Sequence, residues 1–430
     1  LYKRKVDGQM KVLLLSHSDM YGGAARAAAR LHKALLDSEI QSRMRLSIKK
    51  SDLATVDGPQ DLVGKALALL RPTLGGLLMR LQQSANPVFH SPALLPSGLV
   101  AELNRSDADV LNLHWVNSEF LSIEDMGRLR KPLVMTLHDM WAFCGAEHYA
   151  PDDMEARWRM GYTPDNRPEG HGGVDIDRWV WGRKLKAWRR PVHIVTPSLW
   201  LADCVKASAM MHDWPATVIP NPLDTQQYQP WPRALAREIL GLPQTATLVL
   251  FGGIGGGKDP RKGWDLLQAA LTQITHEKLD VHCVIFGQSE PSSPPRLGLP
   301  LHWLGPLYDD VTLALLYSAA DVTVVPSRQE NLPQSGTEAQ ACGCPVVAFN
   351  TTGLKDVVEH GQTGYLAEAY SSDDLAQGIK WVLADKERHS RLSAQARQRA
   401  VRLWSPQVVL PQYLGVYGRV IDDMRRPNNF

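Results

Sequence analysis

The chain has 430 residues, 44% hydrophobic and 21% charged, and 47 Lys plus Arg against 45 Asp plus Glu leave a net charge of +2. That length suits two or three domains with sizeable cores and excludes wholesale disorder. The near-neutral balance argues against a nucleic-acid partner, whose phosphates call for a strongly basic surface. Five scattered cysteines are too few for a disulfide framework and point to a reducing, cytoplasmic setting. No unbroken run of about 18 apolar residues is present, so no membrane-spanning helix is expected. Met10 is a candidate natural start.

Short apolar runs alternate with helical patterns along the chain. Residues 12–16 (VLLLS) lead into a glycine turn at Gly22 and Gly23 and a helical stretch over 24–36. Residues 109–113, 133–136 and 193–196 read as further buried strands. A second series follows at 247–251, 281–286, 321–325 and 345–349. Continuous apolar runs between helices indicate parallel strands covered on both faces. The alternation predicts an α/β chain with two doubly wound sheets. The break falls near 220–224 (PNPLD), because proline denies a ladder donor and restricts its predecessor. A last amphipathic pattern covers 408–424.

Three segments depart from a minimal pattern. Residues 62–83 are apolar with Lys65, Arg71 and Arg80 interspersed. They read either as a monotopic segment touching a membrane or as a surface helix, with Pro72, Gly75 and Gly76 opposing one continuous helix. Residues 178–190 hold six basic residues, three tryptophans and no acid. They suit a lipid phosphate at an interface, or a solvated helix with its tryptophans in the core. Residues 146–173, rich in Gly, Pro and Asp, read as a long loop over a cleft.

Residues 252–258 (GGIGGGK) resemble a P-loop, but Asp259 stands where magnesium needs a Ser or Thr hydroxyl. The dinucleotide fingerprint also fails, since Lys258 or Pro260 takes the third glycine place. What remains is a loop able to bring its backbone near phosphates, beside Arg261 and Lys262. Cys342 and Cys344 fall short of four zinc ligands, and His148 and His171 show no ligand spacing, so no metal is expected. The most informative stretch is 326–348 (PSRQENLPQSGTEAQACGCPVVA), between two buried strands. Glu338 falls early in a helix and Glu330 in the loop before it. Two carboxylates so placed can accept hydroxyls from different parts of one sugar ligand, and the helix N-terminus favours phosphate. The spacing alone would equally suit two surface glutamates.

The residues around that pair resemble the signature of family 4 glycosyltransferases, retaining enzymes of the GT-B fold. The two glutamates with seven residues between, then Ala341-Cys-Gly-x-Pro345-Val-Val, Gly353 and Gly361-Gln-Thr-Gly364, occur in the family's order. Gly22-Gly23 after the first strand, Thr136-Leu-His138-Asp139, residues 218–224 and Lys262-Gly263 extend the likeness from residue 10 to about 400. It is nearest to bacterial enzymes of surface polysaccharide and exopolysaccharide assembly. The resemblance implies two Rossmann-like domains facing across a cleft, residues 10–218 on the acceptor side and 219–405 on the nucleotide-sugar side. A C-terminal helix at 406–430 returns to the first. It implies transfer of a sugar, with retention, from a UDP- or GDP-sugar to a glycan or polyprenyl-diphosphate-linked acceptor. No cofactor or metal is implied. The cytoplasm or the inner face of the membrane is the expected location.

In that scheme Glu338 accepts the ribose hydroxyls, Glu330 faces the transferred sugar, and Lys262, with Arg261, neutralises the diphosphate. Gly22 and Gly23 approach the diphosphate from the first domain. His138 bonds the donor sugar or the reacting centre, and Tyr308 lies where the base meets the backbone of 307–310. Three positions depart from the family pattern. Gly253 replaces a usual arginine, for which Arg261 or Lys258 would substitute. Pro333 replaces a glycine donor, and Thr352-Gly353 replaces a glycine pair. Alternatives on the same architecture are a nucleotide-sugar epimerase, a glycan phosphorylase and a non-catalytic glycan-binding or scaffold protein.

Overall fold

The computed structural model describes residues 10–20, 22–253, 255, 257, 259–275 and 280–426. Lys258 lies outside them. The chain divides into two units, 1–219 with 410–430 and 220–409. The sequence placed those divisions at 218/219 and 405/406.

In the first unit, seven strands form one parallel sheet: β1 (Lys11–Ser18), β2 (Gln41–Ile48), β3 (Val56–Asp57), β5 (Val110–Leu113), β6 (Leu133–Thr136), β8 (His193–Thr196) and β9 (Ala216–Val218). Their order is β3-β2-β1-β5-β6-β8-β9. Two-residue strands β4 (Gln82–Gln83) and β7 (Gly172–Gly173) pair separately and antiparallel. The second unit holds β10 (Thr247–Gly252), β11 (Val281–Phe286), β12 (Leu301–Trp303), β13 (Val322–Val325), β14 (Val346–Phe349) and β15 (Gly364–Ala367). They run parallel in the order β12-β11-β10-β13-β14-β15, the same succession as in the first unit less one edge strand. Each order reverses beside the first strand, which marks a doubly wound sheet.

The apolar runs explain the strands. Every residue of β5, β13 and β14 is buried, as expected where helices cover both faces. The sequence reading missed β2. It alternates, with Ser42, Met44 and Leu46 buried and Gln41 and Arg43 exposed. Strands β3, β9, β12 and β15 are short or edge strands and were also missed.

Residues 146–173 are irregular, as expected of a loop, apart from the helix Arg157–Met160 and the strand β7, but part of the segment is buried. Ala146, Ala150, Ala156, Trp158 and Tyr162 are buried in the first unit's own hydrophobic cluster. Hydrophobic burial, not solvent exposure, therefore orders this segment. Residues 62–79 form one continuous helix (Leu62–Met79) despite Pro72. By length and composition alone that helix is long and apolar enough to cross a membrane.

The helix Pro406–Arg425 contributes Tyr413 and Tyr417, both buried, to the first unit. Asn112 Nδ2 of β5 donates to Tyr417 Oη at 2.8 Å, and Thr136 Oγ1 of β6 donates to Asn112 Oδ1 at 3.0 Å. Tyr417→Phe leaves the buried Asn112 amide without its acceptor. The expected loss is about 1–3 kcal/mol, read from the urea midpoint.

Candidate active site

In the second unit the chemistry gathers at the carboxyl ends of β10 and β13. After β10 the chain makes a single 3₁₀ turn, Pro260–Lys262, capped by Asp259, whose carboxylate accepts from Arg261 N at 3.0 Å. Gly263 closes the turn at φ +67°, and a Cβ there would lie 1.9 Å from Pro326 O. Only glycine permits both the left-handed backbone and that approach. The turn is thereby pressed against the loop that follows β13.

That loop carries Glu330, which is 7% exposed. Lys262 Nζ donates to Glu330 Oε1 at 2.5 Å, and Arg261 Nη1 lies 3.1 Å from the same oxygen. Ser327 Oγ donates to it at 3.3 Å. Arg261 is itself positioned by Gln329 O at 2.8 Å and by Asp259 at 3.0 Å. Burial pushes the Glu330 carboxyl up, but the Lys262 and Arg261 charges outweigh burial and hold it at about 2. Glu330 N donates to Thr352 Oγ1 at 3.2 Å, and Gly353 N donates to Glu330 O at 3.0 Å. Thr352 sits at φ +45°, a left-handed conformation costly for a β-branched residue. The hydroxyl that holds the Glu330 backbone is bound to that strained position.

Glu338 is buried in the helix Gln334–Ala341, as its fifth residue. Tyr317 Oη donates to Glu338 Oε2 at 3.0 Å. Tyr308, 58% exposed, precedes the helix Asp310–Ala319.

In the first unit, Gly22 caps the helix Gly23–Asp37 at φ +90° just after β1. His138 follows β6, and His114 follows β5. Nδ1 of His114 and Nε2 of His138 are 3.0 Å apart, with the rings stacked. Burial pushes His138 down to about 4 and His114 well below its usual range, so both rings are neutral at pH 7. Asp139 Oδ2 accepts from Trp115 Nε1 at 3.0 Å and lies 2.6 Å from His148 Nδ1. Burial raises the Asp139 carboxyl, but His148 and the surrounding donors pull it below the carboxylate range.

Residues 236–399 match the glycosyl transferases group 1 family, and residues 21–227 match glycosyltransferase family 4. A D-inositol 3-phosphate glycosyltransferase of Xylanimonas cellulosilytica is 30% identical over 330 residues, 70% of each chain. The chain belongs to glycosyltransferase family 4. A second D-inositol 3-phosphate glycosyltransferase, from Geodermatophilus obscurus, is 36% identical over 199 residues, 43% of each chain. Against relatives of that kind the chain spans about half of their length, 43–52%. Sucrose-phosphate synthase of Thermosynechococcus elongatus superposes with a TM-score of 0.68 at 19% identity, covering 96% of this chain and 100% of that one. HepE of Anabaena, solved with UDP-glucose, gives 0.63 at 18% identity over 96% and 99%. The fold is GT-B.

Within this family member, the structure brings Glu330, Lys262 and Arg261 into direct contact. Glu338 stands one helix turn beyond their loop, paired with Tyr317. Gly22, Gly23 and His138 belong to the other unit, at the carboxyl ends of β1 and β6. The sequence reading missed His114, Trp115 and His148 around His138 and Asp139. His114-Trp115 directly after a buried strand was a readable signal; the partnership of His148 with Asp139 depends on the packing of the 140–150 segment.

A separate group in the first unit, half-buried His90 with buried Glu147 and Asp177, brings potential metal-ligand atoms within 4.8 Å, which no spacing revealed. Protein donors already serve its acids. Gln82 Nε2 donates to Asp177 Oδ2 at 2.6 Å, Ala146 N donates to Asp177 Oδ1 at 3.2 Å, and Tyr162 Oη donates to Glu147. Burial and the Asp177 charge push the Glu147 carboxyl well above its usual range.

These shifts predict two opposite pH responses. The depressed Glu330 contributes stability fully present above about pH 4.5 and lost as pH falls toward about 2. The stability gap between wild type and Glu330→Gln is therefore widest at pH 7 and shrinks through that window, as urea melts will show. The raised Glu147 costs stability increasingly as pH climbs past 4.5. Glu147→Gln should melt above wild type at pH 9, with the difference smaller at pH 5.

Proposed function

We propose that the chain transfers a sugar, with retention, from a nucleoside-diphosphate sugar to a hydroxyl of a glycan or lipid-linked acceptor in bacterial polysaccharide assembly. The observation that carries this reading is the Lys262–Glu330–Arg261 cluster at the carboxyl ends of β10 and β13. The cluster sets two cations beside the ionised Glu330, and Asp259, which also pairs with Arg261, balances the formal charge, so a diphosphate would draw Lys262 and Arg261 away from these acids. Breaking the bond between the anomeric carbon and the phosphate oxygen builds negative charge on the leaving group. Fixed cations stabilise that charge without reorganisation. Lys262 and Arg261 take the diphosphate, Glu330 accepts hydroxyls of the transferred sugar, and Glu338 accepts the ribose hydroxyls. The acceptor oxygen bonds to the anomeric carbon on the face the phosphate leaves. The departing phosphate oxygen takes the acceptor's proton, so Glu330 is not a nucleophile. Neutral His138 donates a hydrogen bond to the donor sugar.

HepE, of the same fold, was solved with UDP-glucose, which supports a UDP-sugar as the first donor to try. The acceptor lies on the cytoplasmic side, at the inner membrane surface where lipid-linked glycans are built. No metal takes part in this scheme, so transfer should survive EDTA. A thermal-shift series with UDP, GDP and ADP should select one diphosphate, since a ligand specific to the folded state stabilises it by mass action. Lys262→Ala should weaken that diphosphate about tenfold or more, as the loss of a charge-assisted contact implies. Glu330→Ala should retain nucleotide binding and lose transfer. Unchanged diphosphate affinity in Lys262→Ala would sink the assignment, and donor conversion without any acceptor would mark an epimerase instead.

A further inference from the structure

The helix Leu62–Met79 is clothed in apolar residues that the first unit does not bury. Only Ala68 and Gly75 of its residues are buried. Val63, Leu67, Leu70, Leu74, Leu77 and Leu81 are between 47% and 66% exposed. They recur at alternating spacings of four and three, which lines them along one face of a helix about 27 Å long. The opposite face is fastened down. Arg71 donates to Glu119 O at 2.8 Å, Pro96 O at 3.0 Å and Leu95 O at 2.6 Å. Gly75 fits so closely that a Cβ would lie 2.7 Å from Glu119 Oε1. The helix is thus held lengthwise on the protein, with its leucine stripe outward.

A buried glutamine joins this stripe to the basic, tryptophan-bearing segment about a hundred residues later. Gln82 Oε1 accepts from Ile176 N at 2.7 Å, and Gln82 Nε2 donates to Asp177 Oδ2 at 2.6 Å. Val174 N donates to Leu81 O at 2.9 Å, so two exposed apolar side chains adjoin. Beside them, Leu78, Leu81, Trp179, Arg178, Arg183 and Lys186 line a groove of about 580 Å³. Trp179 and Leu185 are 43% and 46% exposed. The tryptophan-rich helix is not simply a solvated face. Burial pushes the Lys184 ammonium down to about 7, and it donates to the carbonyls of Trp141, Cys144 and Gly145.

We propose that this joined face docks flat on an anionic lipid bilayer, with the leucine stripe and Trp179 entering the acyl boundary while Arg178, Lys186, Arg189, Arg190, Lys65 and Arg80 meet lipid phosphates. Residues 62–83 and 178–190 contain no Asp or Glu; Asp175, which also lines the groove, is paired with Arg157 at 2.6 Å and lies 3.9 Å from Arg178. An apolar face edged by arginine, lysine and tryptophan is the chemistry of an interfacial helix. A second copy of the chain would also accept a four-three stripe, but neither of the two segments contains an acid to pair with its basic residues. The proposal deepens the membrane side of the proposed function, but it rests on a surface separate from the sugar-transfer site.

The test is co-sedimentation with vesicles of phosphatidylcholine containing about one-third phosphatidylglycerol. Wild type should bind these vesicles and bind pure phosphatidylcholine much less. Leu70→Glu with Leu74→Glu, on exposed positions, should cut partitioning about tenfold or more, and Arg178→Glu with Lys186→Glu should do likewise. The thermal shift given by the selected nucleoside diphosphate should be unchanged in both variants. That readout separates failure of the docking surface from failure of the donor site. Wild type that ignores anionic vesicles, or variants that bind them as well as wild type does, would overturn the proposal. So would a dimer in light scattering that the leucine variant converts to monomer, because the stripe would then belong to a second copy.

Discussion

Each unit is built on parallel strands whose central members are buried on both faces. Helices cover such a sheet above and below, so its carboxyl edge is where side chains and loops meet a ligand. Gly22 follows β1, His114 follows β5 and His138 follows β6. Lys262 follows β10 and Glu330 follows β13, neighbouring strands in their sheet. Residues far apart in the chain thus gather because strand order places their strands side by side. Lys262 and Glu330 are 68 positions apart and share a hydrogen bond.

The two units treat charge differently. In the second, a buried carboxylate is kept ionised by two adjacent cations. In the first, burial dominates at several groups, while Asp139 is held ionised by His148 and its donors. His138 and His114 are driven neutral, Glu147 is driven toward its protonated form and Lys184 is satisfied by carbonyls alone. The first pattern holds opposite charges in direct contact. The second fixes hydrogen-bond directions inside an interior that cannot hold bare charge.

Thr352 shows how a departure from a family pattern is accommodated. The resemblance implies glycine there, and the backbone keeps the left-handed conformation that glycine would adopt freely. The threonine hydroxyl in turn accepts from the Glu330 backbone. A strained position is retained because the loop around Glu330 surrounds it, and Gly353 leaves no room for alternatives: a Cβ there would lie 1.4 Å from Asn331 O.

The strand series, the break near Pro220 and the glutamate pair are legible in the sequence, because each is written in local patterns of apolar runs, proline and spacing. Strand β2 went unread, although its alternation was present, because the other strands were recognised by continuous hydrophobicity. Pro72 and the glycine pair Gly75-Gly76 argued locally against a helix, but packing on Glu119 and the bonds of Arg71 overrode them. The core role of residues 146–173, the His148–Asp139 contact and the junction made by Gln82 were decided only in tertiary structure. Each joins groups separated along the chain or surrounded by loop, and burial, not periodicity, sets which of those groups meet.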